Sequence, residues 1–168
     1  SEEEKIGLSF NFANKILIIS SIILFHLLPF LINKSIFGEL KKIKNLNLLF
    51  FLMMFLTSLF YFDYVTNYTG GGVFFQISYY IFNNNYFFYF VSLISMLILC
   101  FFSNNNLNNF LVFLILVVSN LQNTIYHKYY DPLILIIFFT IISNYLVKDF
   151  LIKKNNTYYL YFFYLCFI

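Results

Sequence analysis

One long apolar run, broken by a charged and aromatic stretch, constrains the fold of this chain more than any other feature. The run extends from Phe110 to Val147, and the interruption at 126–132 reads Tyr-His-Lys-Tyr-Tyr-Asp-Pro. A straight helix over the whole run would be roughly 57 Å long at about 1.5 Å per residue, whereas the apolar core of a bilayer is about 30 Å thick. We therefore expect the chain to turn at 126–132, a segment that we call the polar bend.

The composition favours a membrane protein. Hydrophobic residues make up 61% of the chain and charged residues 10%, against about 45–50% and about 25% in soluble domains. The sequence therefore predicts an all-α, polytopic transmembrane helix bundle that forms one membrane domain over 1–168. The net charge of +3 is too small to indicate nucleic-acid binding. Cys100 and Cys166 lie in apolar runs without metal-binding or redox spacing, and no cofactor is indicated.

Apolar segments locate the predicted spans. Five segments are assigned as spanning helices and a sixth as a partial span, and together they cover 16–32, 46–62, 86–102, 110–126, 133–147 and 158–168. The segment 73–82 is too short to cross a bilayer and too aromatic to be solvated, which predicts an interfacial or re-entrant helix. Because the chain starts without Met and stops inside an apolar run, we expect the sequence to be a fragment.

The placement of lysines predicts the orientation. Lysines are concentrated in two loops, 33–45 and 148–157. Cytoplasmic loops of membrane proteins carry an excess of Lys and Arg, so we assign both loops to the cytoplasmic side. The membrane would be a bacterial inner membrane or an organellar or endoplasmic-reticulum membrane. The polar bend, Asp63 and the glycines at 70–72 then share the external side.

Short-range patterns predict how the helices begin, turn and meet. Asp131 and Pro132 are favoured at the N-cap and the first position of a helix, so the fifth spanning helix is expected to start there. Three consecutive glycines at 70–72 indicate a sharp turn or a hinge. Ser92 and Ser95, three residues apart, present small side chains that allow another helix to approach closely.

Polar residues also occur inside the predicted spans. His26 lies in the first span, where a single His is most often a packed residue, and a proton relay or a ligand role is the alternative. The fourth span carries polar residues on one helical face, namely Asn120, Asn123, Thr124 and His127. Polar groups at membrane depth must pair or contact water, so this face predicts either an interhelical hydrogen-bond seam or a vestibule.

The polar bend is the candidate binding site. It combines an imidazole, an ammonium group and a carboxylate with two tyrosine rings, a set suited to an anionic or sugar-bearing lipid headgroup. The alternative interpretation is an interfacial belt of Tyr and Lys without a ligand. The candidate substrate-binding residues are His127, Lys128, Asp131, Tyr129, Tyr130, Asn123 and Asp63.

The segment Thr124–Leu133, followed by a long apolar helix, resembles the late transmembrane region of polytopic glycosyltransferases of the GT-C class. In that class a His, basic and aromatic cluster often precedes a Pro and a further span. The resemblance implies transfer of a sugar from a polyprenyl-phosphate donor on the external or lumenal face. It also implies that His127, Lys128 and Asp131 contact the donor. No catalytic residue is carried over, since the catalytic acid of the family typically lies in an early external loop.

Two other functions stay open on the sequence. A transporter or channel component would use the polar face of the fourth span to line a solute path. A noncatalytic membrane subunit would instead bind other membrane subunits of a larger complex. The expected partners are therefore membrane lipid, a lipid-linked sugar and other membrane subunits, and nucleic acid is not among them.

Overall fold

The computed structural model describes residues 11–31, 44–65, 70–119, 125–140 and 154–167. All regular elements in these ranges are α-helices, and no strand occurs among them. The helices are α1 (Phe12–Leu31), α2 (Asn45–Phe60), α3 (Gly72–Phe82), α4 (Tyr86–Asn105), α5 (Leu107–Ser119), α6 (His127–Thr140) and α7 (Lys154–Phe167). The predicted all-helical class is therefore confirmed.

Helix α1 forms the centre of the fold. It begins after Asn11, whose side-chain oxygen accepts the backbone N–H groups of Ala13 and Asn14 at 3.1 and 3.3 Å, as an N-cap does. Every residue from Leu17 to Leu27 is buried. A helix that is apolar around its whole circumference must be covered on all sides. Accordingly, α1 contacts each of the other described helices.

Two serines bring α4 close to α1 and confirm the predicted small-residue contact. Ser92 and Ser95 are both buried, and their hydroxyl groups donate to the backbone carbonyls of Leu17, at 3.4 Å, and Ser20. Ser92 pairs with Leu17, and Ser95, three residues later, pairs with Ser20, also three residues later. The two helices therefore run in the same direction where they touch. Small side chains at this contact let the two backbones approach closely.

Helix α2 runs antiparallel to α1 and α4. At its start, the side-chain oxygen of Asn104 in α4 accepts hydrogen bonds from the backbone of Lys44 and the side chain of Asn47, both at 3.2 Å. Just beyond its end, Asp63 is hydrogen-bonded to Asn14 at the start of α1. Each end of α2 is thus tied to a different neighbouring helix.

Helices α3 and α4 form a hairpin whose first helix follows the glycine turn at 70–72. The hydroxyl of Ser78 donates to the carbonyl of Asn84 at 2.6 Å and accepts the N–H of Phe88 at 3.1 Å, which closes the hairpin. The helix predicted at 73–82 is therefore present. Its start lies beside the middle of α1, since a Cβ atom added at Gly72 would be 3.0 Å from the side chain of Ile22.

Two of the described helices, Phe12–Leu31 and Tyr86–Asn104, are long and apolar enough to cross a membrane. The buried central helix of a soluble protein meets the same criterion. Helices α2, α3 and α5 are apolar but shorter. Most residues of the two lysine-rich loops and residues 141–147 of the fifth predicted span lie outside the described residues.

Candidate functional site

The glycine turn is hydrogen-bonded to the segment that leads into α6. Gly71 and Gly72 have φ values of 87° and 80°, a region that residues with side chains rarely adopt. The N–H of Gly71 donates to the carbonyl of Ile125 at 2.8 Å, two residues before α6. The N–H of Ile125 also reaches the hydroxyl of Tyr64 at 3.5 Å. The segment that leads into α6 is therefore held beside the second half of α1.

The structure places the start of α6 at His127. Ile125 and Tyr126 are not helical, and the helix follows them directly. The prediction that Asp131 and Pro132 start this helix is therefore wrong, because the helix already begins at His127, two residues after the Ile125 carbonyl that Gly71 binds. Asp131 instead lies one turn into the helix, four residues after His127, so the two side chains project from one face.

This face of α6 meets His26 of α1, and the three side chains form a group that we call the His–Asp cluster. The Nε2 atom of His26 lies 3.1 Å from Oδ1 of Asp131, and Nε2 of His127 lies 2.9 Å from the same oxygen. One potential ligand atom from each residue falls within 4.8 Å of the other two. The side chain of His26 is fully buried, whereas those of His127 and Asp131 are 18% and 16% exposed.

Two atoms of the cluster, Nε2 of His26 and Oδ1 of Asp131, have no hydrogen-bond donor among the described residues. Nδ1 of His26 is 3.0 Å from the carbonyl oxygen of Ile22. A carbonyl only accepts, so Nδ1 carries the proton, and a neutral His26 presents a lone pair at Nε2 toward the acceptor oxygen of Asp131. Among the described residues, neither of these two atoms has a hydrogen-bond partner of acceptable geometry. A cation between them, either a proton or a metal ion, would satisfy both atoms.

Burial acts on the two members of the cluster that α6 contributes. It lowers the pKa of His127 to about 4, with a smaller contribution from the neighbouring His26. It raises the pKa of Asp131 to about 6. Both directions follow because a charged group is less stable in a low-dielectric environment than in water. Burial thus favours the neutral imidazole of His127, which is the form that binds metal ions.

Aromatic rings enclose the cluster. The ring of Phe25 makes edge contacts with both imidazoles, at centroid distances of 5.7 Å to His26 and 5.1 Å to His127. From α7, the ring of Phe163 lies 5.3 Å from that of Phe25, and the hydroxyl of Tyr164 donates to the backbone carbonyl of His26 at 2.9 Å. These contacts connect α1 with α6 and with α7 around the site.

The other candidates from the polar bend have different surroundings. Lys128 is exposed, with its Nζ 5.6 Å from the centre of the Tyr126 ring. Tyr130 is buried. Tyr129 lies in α6, but its side chain is outside the described residues, as is the whole of Asn123. Of the predicted site residues, His127 and Asp131 therefore face inward and belong to the cluster, whereas Lys128 faces outward.

Asp63 belongs to a separate site. Its Oδ1 accepts hydrogen bonds from the side-chain amides of Asn11 and Asn14, the latter at 2.7 Å, and its N–H donates to Asn14 Oδ1 at 3.1 Å. Beside it lies an open groove of about 430 Å³, lined in part by Thr57. From Asn14 to His26, α1 rises about 18 Å at 1.5 Å per residue, which separates Asp63 from the His–Asp cluster.

The predicted polar face of the fourth span does not continue into His127. Helix α5 ends at Ser119, and residues 120–124, which include Asn120 and Thr124, lie outside the described residues. Ile125 and Tyr126 are not helical, so His127 belongs to the next helix.

His26 was not among the candidate site residues, because the sequence favoured a packed side chain in the first span over a proton-relay or ligand role. A signal was present in the composition. The chain has two histidines, and the second one stands four residues before an Asp. Those facts indicate the pair of His127 and Asp131, but they do not show that α1 contributes His26 to the same site.

No family model matches this chain, no curated protein matches its sequence, and no solved structure matches its fold. The function must therefore be argued from the chain's own residues.

Proposed function

We propose that this chain is the helical part of a multi-pass integral membrane protein that acts as a cation transporter or channel component, with the His–Asp cluster as a binding site on the path. The proposal keeps the predicted orientation, in which the loops at 33–45 and 148–157 face the cytoplasm. It favours the transport alternative over sugar transfer because the buried cluster offers a cation site, whereas it offers no cationic group for a phosphate.

Apolar side chains on the outer faces of the helices support the membrane location. Helix α2 exposes a stripe along its whole length, formed by Leu46, Leu49, Phe50, Met53, Leu56 and Phe60. Helix α5 exposes Leu111, Ile115 and Val118 at spacings of four and three residues. Soluble monomers rarely expose contiguous apolar patches larger than a few hundred Å², whereas lipid chains solvate such faces favourably.

The contact between His26 Nε2 and Asp131 Oδ1, at 3.1 Å, carries the proposed activity. Ionisable side chains inside membrane helix bundles are costly, face the interior and mark ion pathways. His26 lies on α1, one of the two helices long enough to span. The same helix also buries Lys15, Ser20 and Ser21, so polar side chains recur over about 16 Å of its length.

Reconstitution of the full chain into liposomes tests the proposal. Uptake of Na⁺, K⁺, Mn²⁺ and Zn²⁺ is measured in turn against empty liposomes. We expect at least one of these cations to enter faster with the protein present. The variants His26→Ala and Asp131→Asn should return uptake to the level of empty liposomes, while Asp63→Asn should not change it. Uptake equal to that of empty liposomes for all four cations would rule the proposal out.

Transfer of a sugar from a lipid-linked donor is the second candidate function, and the groove beside Asp63 favours it. Its volume, about 430 Å³, lies in the range of small-molecule sites, and it combines a carboxylate with amide and aromatic side chains. Sugar transfer by the full-length protein from polyprenyl-phosphate donors would then be lost in Asp63→Asn. Unchanged transfer after alanine replacement of His127, Lys128 and Asp131 would remove the polar bend from this function.

A further inference from the structure

We infer that His26, His127 and Asp131 bind one divalent transition-metal ion, with Zn²⁺ as the best match, through Nε2 of each imidazole and Oδ1 of the carboxylate. The inference deepens the proposed function by naming the class of cation at the cluster. Binding of the ion does not depend on the proposed function; only the transport of the bound ion rests on it.

The separations of the three ligand atoms are close to those of a zinc site. Zinc–nitrogen and zinc–oxygen bonds are about 2.0–2.2 Å long, so two ligands of a tetrahedral zinc ion lie about 3.3–3.5 Å apart. The two nitrogen–oxygen distances in the cluster are 3.1 and 2.9 Å, and all three residues offer ligand atoms within 4.8 Å of one another. Small side-chain rotations therefore suffice to place the three atoms around one ion.

The second ring nitrogen of His26 prepares it as a ligand. Its Nδ1–H donates to the carbonyl of Ile22 at 3.0 Å. Metal-bound histidines almost always make such an outer hydrogen bond, which selects the tautomer and orients the ring. The opposite nitrogen, Nε2, is without a hydrogen-bond partner among the described residues, although the side chain is fully buried. A metal ion at this point would remove the cost of leaving that atom unpaired.

The donor set determines which cation fits best. Imidazole suits zinc, copper, iron and nickel, whereas Mg²⁺ and Ca²⁺ prefer oxygen ligands. Three protein ligands leave a fourth position for water or an exchangeable group, as in zinc sites that are not purely structural. An incomplete protein shell also suits a site from which the ion must leave again.

The composition of the chain makes the inference sharply testable. The sequence contains two histidines, and both belong to this cluster. Any zinc binding that depends on imidazole must therefore come from this site. The thiol groups of the chain are those of Cys100 and Cys166, which can be removed without changing the cluster.

Equilibrium dialysis of the purified full chain in detergent against buffered Zn²⁺ tests the inference. We expect one zinc ion per chain. The variants His26→Gln, His127→Gln and Asp131→Asn preserve side-chain size and should each weaken binding by about 100-fold or more. The matched controls, Asp63→Asn and the double variant C100S/C166S, should bind zinc as the unaltered chain does. Circular dichroism and gel filtration establish that each variant is folded.

Zinc binding that persists in either histidine variant, or that is lost in the cysteine variant, would overturn the inference, as would the absence of binding to the unaltered chain. Dialysis measures binding without transport, so the outcome is independent of the liposome assay. One zinc ion per chain without cation uptake would uphold the metal site and remove the transport role. Cation uptake without zinc binding would overturn the metal site and leave the transport role standing.

Discussion

Two carboxylates of this chain lie beside the same helix, α1, and they differ in what the protein supplies to them. Asp63 is exposed, and its Oδ1 accepts hydrogen bonds from the side-chain amides of Asn11 and Asn14. Asp131 is largely buried, and its Oδ1 faces imidazole nitrogens at 3.1 and 2.9 Å without acceptable hydrogen-bond geometry. The first carboxylate is satisfied by hydrogen bonds within the protein, whereas Oδ1 of the second has no such bond among the described residues.

The difference arises from the chemistry of the partners. A side-chain amide always offers two donors. A neutral imidazole offers one, and His26 uses its own on the carbonyl of Ile22. Burial makes the missing partner more costly at Asp131, because electrostatic interactions are stronger where the effective dielectric constant is low. The comparison thus separates a structural carboxylate, just after α2, from a binding carboxylate in α6, both beside α1.

Zinc should stabilise the chain through Asp131 and not through Asp63. At a free zinc concentration of about 100 times the Kd, binding adds about 2.7 kcal/mol to the free energy of unfolding. We expect this gain in the unaltered chain and in Asp63→Asn, and no gain in Asp131→Asn. Thermal unfolding in detergent with and without Zn²⁺ measures it. Equal stabilisation of the two variants would erase the distinction between the carboxylates.

Substitution of the glycine turn should damage the cluster and spare the Asp63 site. Gly72→Ala places a side chain at a φ of 80° and a Cβ atom 3.0 Å from Ile22. We expect a loss of about 2 kcal/mol in the free energy of unfolding, together with weaker zinc binding. Chemical unfolding and zinc dialysis measure the two effects. The converse control is Asn14→Ala, which alters the Asp63 site and should leave zinc affinity unchanged.

Without metal, the amide variant of the buried carboxylate should be more stable than the unaltered chain. In Asp131→Asn the new amide N–H can donate to Nε2 of His26, so a contact between two acceptors becomes a hydrogen bond worth about 1 kcal/mol. Chemical unfolding in the presence of a chelator measures this gain. A loss of stability in this variant would show that a proton already occupies the contact.

The same change at the exposed carboxylate should have the smallest effect. In Asp63→Asn the amide oxygen still accepts hydrogen bonds from the side chains of Asn11 and Asn14. The free energy of unfolding should stay within about 0.5 kcal/mol of that of the unaltered chain, as for most surface substitutions. Chemical unfolding under the same chelated conditions provides the measurement, and a loss of several times that size would place Asp63 among the residues that hold α1 and α2 together.

Features that depend on local pattern could be predicted from the sequence. The small side chains of Ser92 and Ser95 predicted a close helix contact, and both lie against α1. The helix predicted at 73–82 is present as α3, Gly72–Phe82, because glycines precede it and asparagines follow it. The glycine turn was likewise predicted, since consecutive glycines adopt positive φ at little cost.

The His–Asp cluster could not be assembled in the same way. Periodicity shows which residues share one face of a helix, but not which helices meet. The predicted helix start at Asp131 also hid its relation to His127, because an N-cap residue does not share a helical face with the residue four positions before it. His26 is distant in the sequence from both, so its role depends on the contact between α1 and α6.

The central claim is that the His–Asp cluster is completed by a cation that imidazole and carboxylate bind together. X-ray absorption at the zinc edge of the full chain, loaded with one equivalent of Zn²⁺, tests this claim most directly. We predict a shell of nitrogen and oxygen atoms at about 2.0–2.2 Å with the outer scattering of two imidazole rings. Sulfur scattering at about 2.3 Å, or a spectrum without imidazole, would contradict the account.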